Sequence, residues 1–396
     1  MENQENKQKN HNVFYVGLLS FFGGISQDIF SPILPIYLTT ILGFTKTFVG
    51  TAEGIVAASA TLFAVVAGYF SDKFKKQKPI VFAGYLLSMI SRPLLALFTS
   101  GAAVLGLRLT DGIGKGIKDP PKDVLVAGSA EKEVRGKSFG IARMLDTLGS
   151  VAGPLILVAL LYFLQGSAML YHYILLFSAI PLLITLFVLV TKIREVYPTK
   201  TENIIVEMEG SGKLPRSFFI FLFIAVIFAI GNSSDAFLIL RAKGIGLTLI
   251  EIPAVIALFN FIYALAAVPM GSLSDKIGRV PTVLIGWTTY ALVYVGFGLA
   301  IHPTAIWFLY ALYGIYYAAN FGVVKALLAD MVGIEHRGRA FGIYGTVIGL
   351  ATFPASLFAG LLWDRIGPHA PFYFGAVMAG IATILLLSFS RKLKTA

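Results

Sequence analysis

The chain has 396 residues, of which 57% are hydrophobic and only 13% charged, and it contains no cysteine. That composition is that of a polytopic membrane protein, and it excludes disulfides, thiol catalysis and cysteine metal sites. The net charge of +11 would suit a nucleic-acid partner, but the basic residues cluster in short loops between apolar segments, as membrane topology requires, so no nucleic acid is expected as a partner.

In chain order, residues 1–12 (MENQENKQKNHN) are polar and are not followed by a short apolar region with a cleavage site, so a disordered cytoplasmic tail is expected. At about 20 apolar residues per crossing, twelve spans follow. The first six are 13–42, 48–70, 79–99, 102–127, 139–164 and 168–191; the others are 217–240, 248–270, 280–300, 304–329, 340–362 and 370–390. Residues 193–216 mix acids, Gly and Pro without periodicity and read as a cytoplasmic linker, and 391–396 as a second tail. Lys73, Lys75, Lys76 and Lys78, then Lys132, Arg135 and Lys137, then Lys276, Arg279, Arg337 and Arg339 all fall on one side. The positive-inside rule therefore places both termini in the cytoplasm. The expected fold is all-α, with twelve transmembrane helices in two pseudo-symmetric six-helix bundles, 13–192 and 217–390.

Span 4 carries RLTDGIGKGIKDPPKD, a row of charges where a membrane helix should be apolar. Charges at bilayer depth are costly unless they pair or face water, so this span is expected to line an aqueous cavity. Arg108, Asp111, Lys115 and Asp119 are spaced three, four and four apart and would form one ladder of alternating sign. Gly112, Gly114 and Gly116, with Pro120 and Pro121, should thin and bend the helix. Lys115, Lys118, Lys122 and Lys325 outnumber the local acids Asp119 and Asp123. They point to a solute that is anionic or rich in acceptor groups. Span 10, the symmetry mate of span 4, has few charges; Tyr310, Tyr313, Tyr316, Tyr317 and Asn320 offer rings and hydrogen-bonding groups there.

Asp28 and Asp235 each lie in the first span of their half, each with a glycine four residues before it, and they read as counterparts and candidate proton carriers. Asp111 is a third candidate; Arg143 and Asp146, three apart in span 5, can pair on one helix face or reach towards span 4, and Arg241, six residues after Asp235, completes the proton-coupling set. Arg92 in span 3 is less easily placed, and Glu53, near the outer end of span 2, could be another titrating site or stand on a hydrated wall. The five histidines are scattered without metal-ligand spacing, and no cofactor is expected.

The halves repeat each other. Glu133-Val-Arg135-Gly136-Lys137-Ser-Phe139-Gly140-Ile141 recurs as Glu335-His-Arg337-Gly338-Arg339-Ala-Phe341-Gly342-Ile343, and Gly68-Tyr-Phe-Ser71-Asp72-Lys73 recurs as Gly271-Ser-Leu-Ser274-Asp275-Lys276. Gly271 to Arg279 resembles the loop signature G-x-L-[AS]-D-[RK]-x-G-[RK] of the major facilitator superfamily. The first copy has Phe70 for the leucine and Lys75 for the second glycine, which leaves open whether it makes the same turn. The resemblance covers essentially the whole chain. It implies that Asp72, Asp275 and Arg279 help latch the two halves. Gly140, Gly149, Gly153 and Pro154 in span 5 follow G-x8-G-x3-G-P, similar to the motif of drug/proton antiporters, although Leu157 and Val158 stand where paired glycines often follow. The same residues also suit an ordinary packing face.

The expected function is secondary active transport of a small organic solute across a bacterial inner membrane, by alternating access, coupled to protons and directed outward, by a functional monomer. Import of an anionic nutrient or a metal chelate such as a siderophore is the alternative. A membrane enzyme or a transport-dead receptor is more distant, because there is no nucleophile–base pair, no Walker signature and no large soluble domain.

Overall fold

Inside a bilayer no water satisfies backbone N–H and C=O groups, so continuous apolar runs of about 20 residues cross as helices, which pair those groups internally. The computed structural model describes residues 2–130, 135–196, 214–333 and 336–393, and these hold no strand among them. Glu133, Glu335, the linker residues 197–213, the tail residues 394–396 and the side chain of Asp72 lie outside the described residues.

The first half contains α1 (Glu2–Phe30), α2 (Leu34–Ile36) running on as a π-helical turn (Tyr37–Ile41), α3 (Lys46–Phe74), α4 (Lys78–Leu94), α5 (Gly101–Gly128), α6 (Arg135–Phe163), α7 (Leu170–Phe177) and α8 (Ala179–Thr191). The second contains α9 (Arg216–Gly231), α10 (Ala236–Ile245), α11 (Glu251–Ile277), α12 (Arg279–Leu299), α13 (Pro303–Met331), α14 (Arg337–Arg365) and α15 (Ala370–Leu393). Joining α1 to α2, α7 to α8 and α9 to α10 gives the twelve expected rods. Ten are long and apolar enough to cross a membrane. The other two are α4, with 17 residues including Arg92, and the charged α5. Large apolar side chains such as Phe163, Phe187, Phe308 and Ile384 are exposed on the rods, as lipid-facing residues must be.

The helices form two compact units, residues 1–37 with 55–203 and residues 38–54 with 204–396. In the first, α1 packs along α6 and α8, and α4 along α5 and α8; in the second, α9 packs along α14 and α15, and α12 along α13 and α15. These are the same four pairings in each half. The head of α3 goes with the second unit. There the backbone of Gly50 lies so close to Ser356 of α14 that a Cβ would come within 2.1 Å of its carbonyl oxygen. Asp364 caps this end of α3, accepting from the N–H groups of Lys46 at 3.1 Å and Thr47 at 2.7 Å.

Two expectations change. Residues 2–12 continue α1 as helix, in keeping with their Glu, Gln and Lys content. Asn12 then exchanges hydrogen bonds with Arg194 and donates to Ser129 at 2.6 Å. The first residues after α8 are tied down: the Glu195 carboxylate accepts from the N–H groups of Gln77 at 2.6 Å and Lys78 at 3.1 Å, capping α4. Along α5 the helix is unbroken through Pro120 and Pro121. Its glycines allow close packing: a Cβ on Gly112 or Gly116 would strike α3 at Ser59 or Ala60, and one on Gly114 would strike Gly84 of α4.

Candidate functional site

The first unit holds a charged centre. Asp111 of α5 is buried and accepts from Arg92 at 3.1 Å, Arg108 at 3.3 Å and Lys115 at 3.2 Å. One carboxylate thus holds three cations, two of them fully buried guanidiniums. Arg92 reaches further: it donates to Ser26 at 2.7 Å and to the Gln27 side chain at 2.8 Å, both on α1. Ser26 passes the contact on to the Ser178 carbonyl at 2.6 Å, where α7 gives way to α8. Both guanidiniums lie 5.4 Å from the centre of the Phe30 ring, at the end of α1. Arg92, which sequence reasoning left unplaced, therefore links α4, α5 and α1.

Of the expected ladder, the Arg108–Asp111 and Asp111–Lys115 rungs form. Asp119 is held instead by Lys118 at 3.1 Å and Lys122 at 3.2 Å. Lys118 also lies over the Tyr85 ring, 5.5 Å from its centre.

Asp28 sits one residue after Gln27, where α1 is about to end. It is half-buried and hydrogen-bonds Ser150 of α6. Gly153 brings α6 this close, since a Cβ there would lie 2.8 Å from the Asp28 Cβ; Gly149 does the same against the Phe21 carbonyl. Pro154 follows within an uninterrupted α6. Gly140 has open space around it, and Arg143 and Asp146 pair at 3.0 Å on the half-open face of the same helix.

The second unit holds an aromatic centre built at a helix break. Between α9 and α10 the residues Asn232 to Asp235 leave the helix, in the middle of an apolar span. Gly-Asn-Ser-Ser-Asp is a run of turn formers, and that signal was available in the sequence. Asp235 stands at the head of α10 and is exposed, with Tyr313 donating to it at 2.7 Å and Tyr317 at 3.4 Å. Around them Phe228 stacks on Trp287 with centres 4.6 Å apart, Tyr290 stacks on Tyr294, and Tyr313 on Tyr316. The Tyr290 hydroxyl donates to the Gly231 carbonyl at 3.0 Å, which occupies a backbone group freed by the break. Asn320 accepts from Trp287 at 3.0 Å, and Lys325 is exposed beside the Phe321 ring, 4.7 Å from its centre.

Arg241 is not brought to Asp235. It donates to the carbonyls of Phe297, Gly298 and Ala300 at 2.9 to 3.1 Å and so closes the end of α12. Arg279 holds Asp275, donates to Ser274 at 2.6 Å and reaches Asp330 at 3.2 Å.

Duplicated membrane-spanning bundles, each with a polar centre held between helices, define a solute transporter. The sequence profile of the Major Facilitator Superfamily matches residues 16–241 and 217–395, and the chain belongs to that superfamily. An uncharacterized MFS-type transporter of Methanocaldococcus jannaschii is 35% identical over 391 residues, 97% of this chain and 96% of its own. The multi-drug resistance efflux pump PmrA of Streptococcus pneumoniae is 25% identical over 94% of this chain and 92% of its own. Among solved structures, a D-xylose-proton symporter matches with a TM-score of 0.77 at 18% identity, covering 96% of this chain and 97% of its own, a likeness of fold alone. The chain is thus a multi-pass membrane transporter with a small-molecule substrate.

Proposed function

We propose that the protein is a proton-coupled secondary transporter that exports a small organic solute by alternating access, with Asp28 and Asp235 carrying the protons. The observation that supports this is a contrast between acids. Asp111 is surrounded by three cations. Asp28 and Asp235, in contrast, are hydrogen-bonded by hydroxyls: Asp28 by Ser150, with Arg92 and Lys115 acting on it through space, and Asp235 by Tyr313 and Tyr317. A carboxylate held by hydroxyls at membrane depth is stabilised by taking up a proton, and one that remains open to water can release it again. Asp235 sits at the break in the first span of its half, and Asp28 lies two residues before the end of α1.

The outward direction draws on the span 5 glycines and on the similarity to an efflux pump. The solute's acceptor or anionic groups are assigned to Lys115 and Lys118, two of the partly exposed lysines of the basic row. The protein acts as a monomer in the cytoplasmic membrane with both termini inside, and needs no cofactor.

The test uses protein in liposomes with a pH-sensitive dye and an imposed proton gradient, screened against amphipathic and anionic solutes. Solute-dependent proton movement opposite to the solute, abolished in Asp28→Asn or Asp235→Asn, is expected. Solute flux with unchanged proton dependence in both variants would rule the assignment out.

A further inference from the structure

We infer that the helix break in the second unit is a binding site for an organic cation, formed by the Asp235 carboxylate and the rings of Phe259, Tyr263 and Tyr317. The inference rests on the reading of the chain as a transporter and names the chemistry of the solute group that this centre takes.

The electrostatics come first. Asp235 is exposed in the middle of an otherwise apolar span, and a carboxylate facing lipid there would be prohibitively costly, so it faces a hydrated space. Its two hydroxyl partners fix its orientation without neutralising it. The local field is therefore negative, opposite to that around Asp111.

The rings supply the second half of the argument. Tyr317 stands nearly perpendicular to Phe259, with centres 5.0 Å apart at 84°, and at 73° to Tyr263 with centres 6.0 Å apart. Tyr313 and Tyr316 close in behind Tyr317 at 5.2 and 5.3 Å. Those two are fully buried, whereas Phe259, Tyr263 and Tyr317 are only half-buried and keep free ring surface. Walls that meet edge to face beside a carboxylate are the arrangement that holds ammonium groups, because ring faces attract a cation and shed its water at little cost. An anionic group would meet the Asp235 carboxylate here. A neutral group would gain only the ring contacts.

The experiment measures equilibrium binding of radiolabelled benzyltrimethylammonium to the full-length protein in detergent, against its uncharged isostere neopentylbenzene. Saturable cation binding at least tenfold tighter than that of the isostere is expected. It should be lost in Asp235→Asn, retained in Asp235→Glu, and weakened at least tenfold in Tyr317→Leu, with Tyr263→Leu as a second ring variant should Tyr317→Leu fail to fold. Equal binding of the isostere, no saturable cation binding, or cation binding unchanged in Asp235→Asn would overturn the inference. Cation binding of the expected pattern without proton movement in liposomes would uphold this site and count against proton coupling instead.

Discussion

Lys75 and Gly278 occupy the same place in the two loop signatures, and both have positive φ, 51° and 98°. The first-half loop makes a left-handed turn without the glycine, so that open question is answered by the backbone itself. The two positions differ in stringency. Gly278, with ψ 158°, lies in a region that is essentially closed to other residues, whereas Lys75 lies where a side chain costs about 1–2 kcal/mol. Gly278→Ala should therefore destabilise the protein by about 1–3 kcal/mol. Lys75→Gly should be neutral or stabilising by up to about 1 kcal/mol, because added unfolded-state freedom offsets part of the relief. Thermal unfolding in detergent distinguishes the two.

The Arg92–Asp111 contact should behave as a buried pair. Asp111→Asn leaves three cations without their shared partner, and Arg92→Met removes one of them, so each single change should cost about 3–5 kcal/mol. The double variant Arg92→Met with Asp111→Asn should cost clearly less than the sum. Strict additivity in a double-mutant cycle would contradict this reading.

The span 5 glycines should separate by contact. Gly140 has nothing within 4 Å, so Gly140→Ala should be tolerated. A Cβ on Gly149 would lie 2.3 Å from the Phe21 carbonyl oxygen, which a backbone atom cannot readily yield, so Gly149→Ala should cost about 1–3 kcal/mol. If both variants unfold alike, packing is not what the motif is for.

On α5, Gly112→Ala and Gly116→Ala should respond differently to a second change. The nearest obstacle to Gly112 is the Ser59 hydroxyl at 2.0 Å; for Gly116 it is the Ala60 carbonyl at 2.4 Å. Ser59→Ala should recover part of the loss in Gly112→Ala and none in Gly116→Ala, read as yield of folded protein after detergent extraction.

Apolar length and basic loops were enough to place the rods: span 4 was expected over 102–127 and α5 runs Gly101–Gly128, and span 9 over 280–300 against Arg279–Leu299 in α12. Helical spacing also found the pairing of Asp111 with Arg108 and Lys115, because neighbours on one helix are encoded in the interval between them. Arg92 lies on another helix, 19 residues from Asp111, and no interval encodes that distance. The same limit hid the partners of Arg241, which lie more than fifty residues away. The break before Asp235 was different: its turn formers were in view, but the surrounding apolar run suggested one continuous span.

The polarity of α4 and α5 has a consequence before folding begins. An arginine at the centre of a nascent span costs about 2.5–3.5 kcal/mol at the insertion machinery, and α5 alone carries several charges. Neither helix is suited to enter the bilayer by itself, yet they follow one another in the chain and Arg92 meets Asp111 between them. The hairpin from Lys78 to Gly128 is thus the natural unit of biogenesis, entering with its charges already matched, before the second half has been synthesised. A topology tag inserted between α4 and α5, after Thr99, reads this directly: it should lie across the membrane from Lys78 in the native sequence and stay on the side of Lys78 in Asp111→Leu.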